Sequence, residues 1–207
     1  ARLKPLPKQA LVLVCALALF AVGMQRIASR ALFDAAQCLG KPGIDGICPQ
    51  TTSFTCGAAA ASTLLAHLAI ESDEREMALL SWTNDWDGTD RFSLCKALHQ
   101  KLRRTPYRPR LVVADWATLT QQEFPALVII TLRRFSALGL GLDHWVVVFD
   151  ADETEVRLAD PIGGPRTMPK DQFLRTWQGF ALVVERVRNS PDAVETRHSE
   201  GRGVLTQ

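Results

Sequence analysis

Charge of one sign is the first thing this chain lacks. Its 24 Lys and Arg against 22 Asp and Glu leave a net charge of +2, with acids and bases interspersed. That excludes the clustered basic face of a nucleic-acid binder. Histidine is scarce, with only four: His67, His99, His144 and His198. No Cys-x-x-Cys or His-x-x-x-His spacing occurs, so neither a metal site nor any other cofactor is expected. Five cysteines in 207 residues fall short of a disulfide-dense scaffold, and each has to be read individually. No ATP-binding motif and no internal repeat is present. What is there is ordinary for a folded protein: 47% hydrophobic and 22% charged residues, enough chain for one domain and an appendage.

One long apolar run occurs, "ALVLVCALALFAVGM" from Ala10 to Met24, preceded by Arg2, Lys4 and Lys8. It is shorter than the roughly 20 residues of a comfortable bilayer span. Two readings fit it, a secretory signal and a short signal-anchor helix. We expect an anchor over residues 1–30, with 10–24 in the membrane and the folded domain on the extracytoplasmic side, the cytoplasmic side being the other reading. Arg26 and Arg30 follow the run, so flanking charge orients it weakly. Cys15 inside the run reads as a small apolar residue.

Residues 31–188 are expected to form the domain, and the polar, aperiodic 189–207 a flexible tail. "CLGKPGIDGICPQ" (38–50) is a Gly/Pro-rich loop. Cys56 to about Ala69 reads as a helix, with Leu64, Leu65 and Leu68 at helical spacing. A second helix follows Ser72 as N-cap, with Asp73, Glu74 and Glu76 in its first turn. A third enters through Thr89 or Asp90 and turns Phe92, Cys95, Leu98 and Leu102 inward. The period then changes to strand-like runs at 110–114, 126–132, 144–150, 154–160 and 180–187, with "DADET" as a hairpin connection. One late helix, "MPKDQFLRTW", carries Pro169 in its first turn. Helices first and an antiparallel sheet second predict an α+β domain.

Chemistry concentrates on Cys56. It stands before a glycine at a helix N-terminus, where unpaired backbone N–H groups and the positive helix end stabilise a thiolate. A cysteine nucleophile needs a base and a group that orients the base. His67 and His99 lie among the helices and His198 in the tail, whereas His144 opens a strand. Asp160 closes the next strand, and antiparallel neighbours joined by a short turn bring the two side by side. Gln50, six residues before Cys56, is placed to offer its amide as an oxyanion donor.

These residues also carry a family resemblance. "QTTSFTCGAA" resembles the nucleophile region of the bacteriocin-processing, double-glycine leader peptidases, which are papain-like cysteine peptidases. "DHWVVV" is similar to the His strand of that family, "LADPIGG" to its Asp-Pro loop, "DGTDRFSLCKAL" to its G-T turn and helix. "FLRTWQGFALVV" is similar to its closing pattern, here with Phe173, Trp177 and Gly179. The resemblance spans about residues 45–187. It implies a papain-like α+β fold, Cys56 as nucleophile, His144 as base and then acid, Asp160 as orienter and Gln50 as oxyanion donor. It departs at Thr55, where transporter-fused members commonly carry Asp, and in having no transporter. The stand-alone, membrane-tethered branch of the family is what it most resembles.

The expected activity is hydrolysis of extended peptides, with small residues such as a glycine pair before the cut. The other class in view is an interaction subunit that keeps the scaffold within a membrane complex; acyl transfer to an amine would use the same residues. Cys38 and Cys48 bracket the Gly/Pro-rich loop, ten residues apart. A disulfide between them would suit a non-cytoplasmic domain and tether the segment of Gln50, and two free thiols is the other reading. Cys95 is expected to pack in the core, and the loop 133–143 to border the cleft or touch the membrane.

Overall fold

The computed structural model describes residues 8–132 and 141–187. Helix α1 runs from Lys8 to Ala31, longer than the uncharged run because Gln25–Arg30 continue its hydrogen bonding. At 1.5 Å per residue its 24 residues reach about 36 Å, enough for a bilayer core of about 30 Å. Leu11, Val12, Leu13, Val14, Leu17, Leu19, Phe20 and Val22 are all exposed along it. The helix is therefore long and apolar enough to cross a membrane, a test that a secretory signal also passes. At its end the Arg30 guanidinium lies over the Trp82 ring.

Three helices follow: α2 (Cys56–His67), α3 (Glu74–Leu80) and α4 (Arg91–Leu102). Helix α2 is buried over Cys56–Leu65, and a helix apolar all round belongs inside a protein. Its alanines allow close approach on every side. The α3 N-cap is Asp73, whose carboxylate accepts from the Glu76 N–H, not the expected Ser72, whose hydroxyl bonds the Glu76 side chain instead. Asp90 caps α4 by accepting from Phe92 and Ser93 N–H groups. The inner face of α4 is Leu94, Ala97, Leu98 and Leu102, and Phe92 is 69% exposed. The i, i+4 row through Leu94, Leu98 and Leu102 takes the contact, which turns Phe92 outward, beside Arg91.

The sheet comprises β1 (Tyr107–Val113), β2 (Ala126–Leu132), β3 (Leu142–Ala151), β4 (Glu155–Asp160), β5 (Gly164–Pro169) and β6 (Trp177–Arg186), with short helices α5 (Trp116–Thr120) and α6 (Lys170–Thr176). Its order is β1-β6-β2-β3-β4-β5, and every neighbouring pair is antiparallel. Because side chains alternate along a strand, the sheet feeds two cores. Leu127, Ile129, Trp145, Val147 and Leu182 join α2–α4 in one, while Val128, Val146, Val148, Val183 and Phe173 form the other. Strand β3 is apolar on both faces, which suits its place between β2 and β4. Cys95 packs against the first core in a partly buried position. The tail and most of the expected cleft loop (133–140) lie outside the described residues.

Candidate active site

Three element ends meet at the first turn of α2. Cys56 is the first residue of that helix and 9% exposed. His144 lies near the start of β3, and Asp160 is the last residue of β4. Both are buried, at 3% and 6% exposure, and His144 Nε2 lies 2.7 Å from Asp160 Oδ1. With Nε2 donating to the carboxylate, Nδ1 is the nitrogen left for Cys56, whose side chain is in hydrogen-bonding reach of the ring. The tight β3–β4 hairpin is what aligns the pair: Val147 stands opposite Ala159 and Val148 opposite Leu158.

The electrostatics follow from those contacts. Burial alone would push the His144 pKa down, but the Asp160 hydrogen bond and the Cys56 side chain outweigh it and hold the imidazole up at about 9. Burial would likewise raise Asp160. The hydrogen bonds from His144 and the Ile162 N–H, with the charges of His144 and Arg166, hold its carboxyl down at about 2. The Ile162 N–H donates to Asp160 Oδ1 over 2.9 Å, and Arg166 reaches Oδ2 at 3.3 Å. Arg166 sits on β5, a strand that the sequence pattern did not reveal. Its side chain is well exposed to water, so screening leaves it a minor partner.

Gln50 is joined to the same site by its backbone, while its amide bonds within its own loop. Its N–H donates to the Pro161 carbonyl at 3.0 Å, which ties the loop before α2 to the loop after β4. Its Nε2 donates to the Thr52 carbonyl at 2.8 Å, and its buried Oε1 has no hydrogen-bond partner among the described residues. A primary amide carries two N–H donors, so one remains available.

The Cys-Gly step has a steric cause. A Cβ on Gly57 would stand 2.7 Å from Thr89 Cβ and 3.0 Å from Trp145 Cδ1. Trp145 is itself fixed, since its Nε1 donates to the Thr89 carbonyl at 2.9 Å. Glycine thus lets the turn before α4 and strand β3 close on the first turn of α2. Gly57→Ala is expected to cost about 1–3 kcal/mol through overpacking, measured as a lower midpoint in urea, and to slow alkylation of Cys56.

Cys38 and Cys48 are both buried free thiols, so the disulfide considered between them is not formed in this structure. The loop is held by other means: the Cys48 N–H donates to Thr63 Oγ1 on α2 at 2.9 Å. Burial, with the nearby Glu74 charge, pushes the Cys38 thiol up to about 11 and Cys48 up to about 12. A hollow between Lys41, Ala66, Ala69, Glu76 and Lys101 lies at the other end of α2. Ten residues of helix separate it from Cys56, about 15 Å, and its lining contains no thiol or imidazole.

Residues 46–189 match the model of the peptidase C39 family. An uncharacterized protein of Methanothermobacter thermautotrophicus is 32% identical over 144 residues, covering 70% of this chain and 91% of that one. The probable functional amyloid protease FapD of Pseudomonas fluorescens is 29% identical over 65% of this chain, and the match spans 58% of its length. Among solved structures, the peptidase domain of Streptococcus ComA, a bifunctional ABC transporter of a quorum-sensing pathway, superposes with a TM-score of 0.55. It is 22% identical over 67% of this chain and 96% of its own. A double-glycine motif protease from an AMS/PCAT transporter, solved with its leader peptide, gives 0.54 at 19% identity, over 67% and 89%. These two likenesses establish the fold: an α+β domain with an antiparallel sheet. The family model covers more than half of the chain, and the chain belongs to the peptidase C39 family.

Proposed function

We propose that this chain is a cysteine peptidase that hydrolyses extended peptides, held at a membrane by α1. The observation that carries the reading is the buried His144–Asp160 pair, 2.7 Å apart, set against a cysteine at a helix N-terminus. Cys56 attacks the peptide carbonyl as a thiolate and forms an acyl-enzyme. His144, protonated on receiving the thiol proton, passes that proton to the leaving amine through Nδ1. It then takes a proton from water, whose oxygen attacks the thioester carbonyl and releases Cys56. Asp160 holds Nε2 throughout and stabilises the imidazolium. The free Gln50 Nε2 hydrogen and the Cys56 N–H, one of the helix-end donors without an intrahelical partner, serve the oxyanion.

An interaction subunit would have no use for a desolvated imidazole–carboxylate pair, which is costly to bury. Retention of that pair together with the thiol favours catalysis. The likeness to a double-glycine motif protease supports small residues before the cut, and the bare apolar surface of α1 supports anchoring.

A panel of peptides with Gly-Gly, Ala-Ala or bulky pairs before the cut tests the reading. Wild-type protein is expected to cleave the small-residue members. Gln50→Ala is expected to lower kcat by about 10²-fold with little change in KM, because the donor acts on the transition state. Cleavage that is equally fast for bulky pairs removes the specificity, and no cleavage of any member removes the peptidase assignment.

A further inference from the structure

Glu74 is wholly buried at the first position of α3, yet it does no work within that helix that an exposed acid could not do. Its two carboxylate oxygens are turned toward the chain that precedes the nucleophile. Oε1 lies 2.7 Å from the Thr51 N–H nitrogen and 2.5 Å from Thr55 Oγ1. Oε2 accepts from the Gly40 N–H at 2.9 Å and lies 2.6 Å from Thr51 Oγ1. The Glu74 N–H closes the ring by donating to the Gly40 carbonyl at 3.0 Å.

The residues it holds are the flanks of the site. Thr51 follows Gln50, and Thr55, also fully buried, occupies the N-cap position of α2 directly before Cys56. Thr55 makes no side-chain cap bond to its own helix, so its hydroxyl is directed elsewhere. Between them, Thr52 Oγ1 lies 2.9 Å from Thr55 Oγ1, and the Thr52 carbonyl accepts the Gln50 amide at 2.8 Å. One carboxylate therefore connects to both the proposed nucleophile and the proposed oxyanion donor, through a loop without regular secondary structure. A buried carboxylate so placed is satisfied only when all those donors are in register.

We propose that Glu74 is a positioning residue which sets the distance between Cys56 and Gln50. The inference rests on the cysteine-peptidase reading for its catalytic consequence, but not for its structural one. Glu74→Gln replaces one acceptor oxygen by a donor group and leaves Thr51 or Thr55 without its partner. Thr55→Val removes one donor at nearly constant volume, and Thr55→Ser keeps it.

The test measures two rates on folded, full-length protein in detergent. One is alkylation of Cys56 by iodoacetamide, followed by mass spectrometry of the Cys56 peptide; the other is kcat and KM, normalised to alkylatable Cys56. Glu74→Gln and Thr55→Val are expected to slow alkylation about tenfold and to lower kcat about 10²-fold, the scale of a misplacement near 1 Å, with KM little changed. Thr55→Ser is expected to recover most of both rates relative to Thr55→Val. Wild-type rates in folded Glu74→Gln, or in Thr55→Val where Glu74→Gln does not fold, overturn the proposal. So does a Thr55→Ser variant as slow as Thr55→Val. If the wild type cleaves no peptide but the alkylation differences persist, Glu74 keeps its positioning role and only the peptidase reading falls.

Discussion

Cys56→Ala is expected to lower peptide turnover by at least about 10³-fold and to remove labelling by a thiol-reactive peptide probe at neutral pH. The selectivity of that result comes from the other thiols. Cys38 and Cys48 are buried, and burial pushes them up to about 11 and about 12, so at pH 7 both remain protonated and poor nucleophiles. Cys95 is also raised by burial. Cys15 is exposed on α1, among side chains suited to a lipid or detergent environment that an aqueous peptide probe does not enter. Cys56 alone joins a helix N-terminus to an imidazole held protonated by a buried carboxylate. The fold should survive the change, because the neighbours of Cys56 are fixed independently: Thr55 by Glu74, Trp145 by Thr89, and His144 by Asp160. A melting temperature close to wild type, with turnover and labelling gone, is the expected pair of measurements. Undiminished labelling of the alanine variant would move the nucleophile elsewhere.

The three central side chains were legible because each lies at the end of an element with a plain local pattern. The alanine run announces a helix starting at Cys56, and "DADET" announces the hairpin that sets His144 beside Asp160. Both expectations are matched by α2 and by the β3–β4 pairing. Strand β5 was not legible. "GPRTMP" has two prolines and no hydrophobic alternation, and it pairs on one side only, at the sheet edge, where proline is tolerated. Arg166, which touches Asp160, was lost with it.

Glu74 was hidden for another reason. As sequence it is one of several acids in the first turn of a helix, and helix-dipole arguments account for it fully. Its actual partners, Gly40, Thr51 and Thr55, lie 19 to 34 residues away and become visible only in three dimensions. The same contact explains the departure at position 55. With a carboxylate supplied by α3, the residue before Cys56 has to donate a proton, and threonine does so. Aspartate there would oppose two carboxylates in a buried space, which is unfavourable unless one is protonated. Phe92 shows the limit of periodicity from the opposite side, since two rows of α4 are apolar and only tertiary contact selects the Leu94–Leu98–Leu102 row.

Asp160→Asn is expected to lower kcat by about 10²–10⁴-fold, the range found when a triad carboxylate is replaced by its amide, and to change the pH profile in a defined direction. In the wild type His144 is raised to about 9, so the imidazolium proposed to protonate the leaving amine persists through neutral pH and is lost as pH rises through that value. Removing the carboxylate removes the leading cause of the rise and leaves burial, which acts downward. The alkaline limb should therefore move to lower pH, by about one to three pH units. Stability carries the same sign. A histidine raised above its ordinary 6.5 adds stability that is fully present below that value and lost as pH climbs through about 9. Asp160, lowered from 3.8 to about 2, adds stability present above 3.8 and lost as pH falls through about 2. The wild type should thus melt above the Asn variant at pH 6, with the gap narrowing at pH 10. A variant whose alkaline limb stays where it was would assign that limb to a group other than His144, and a gap that is constant from pH 6 to pH 10 would uncouple the imidazole from Asp160.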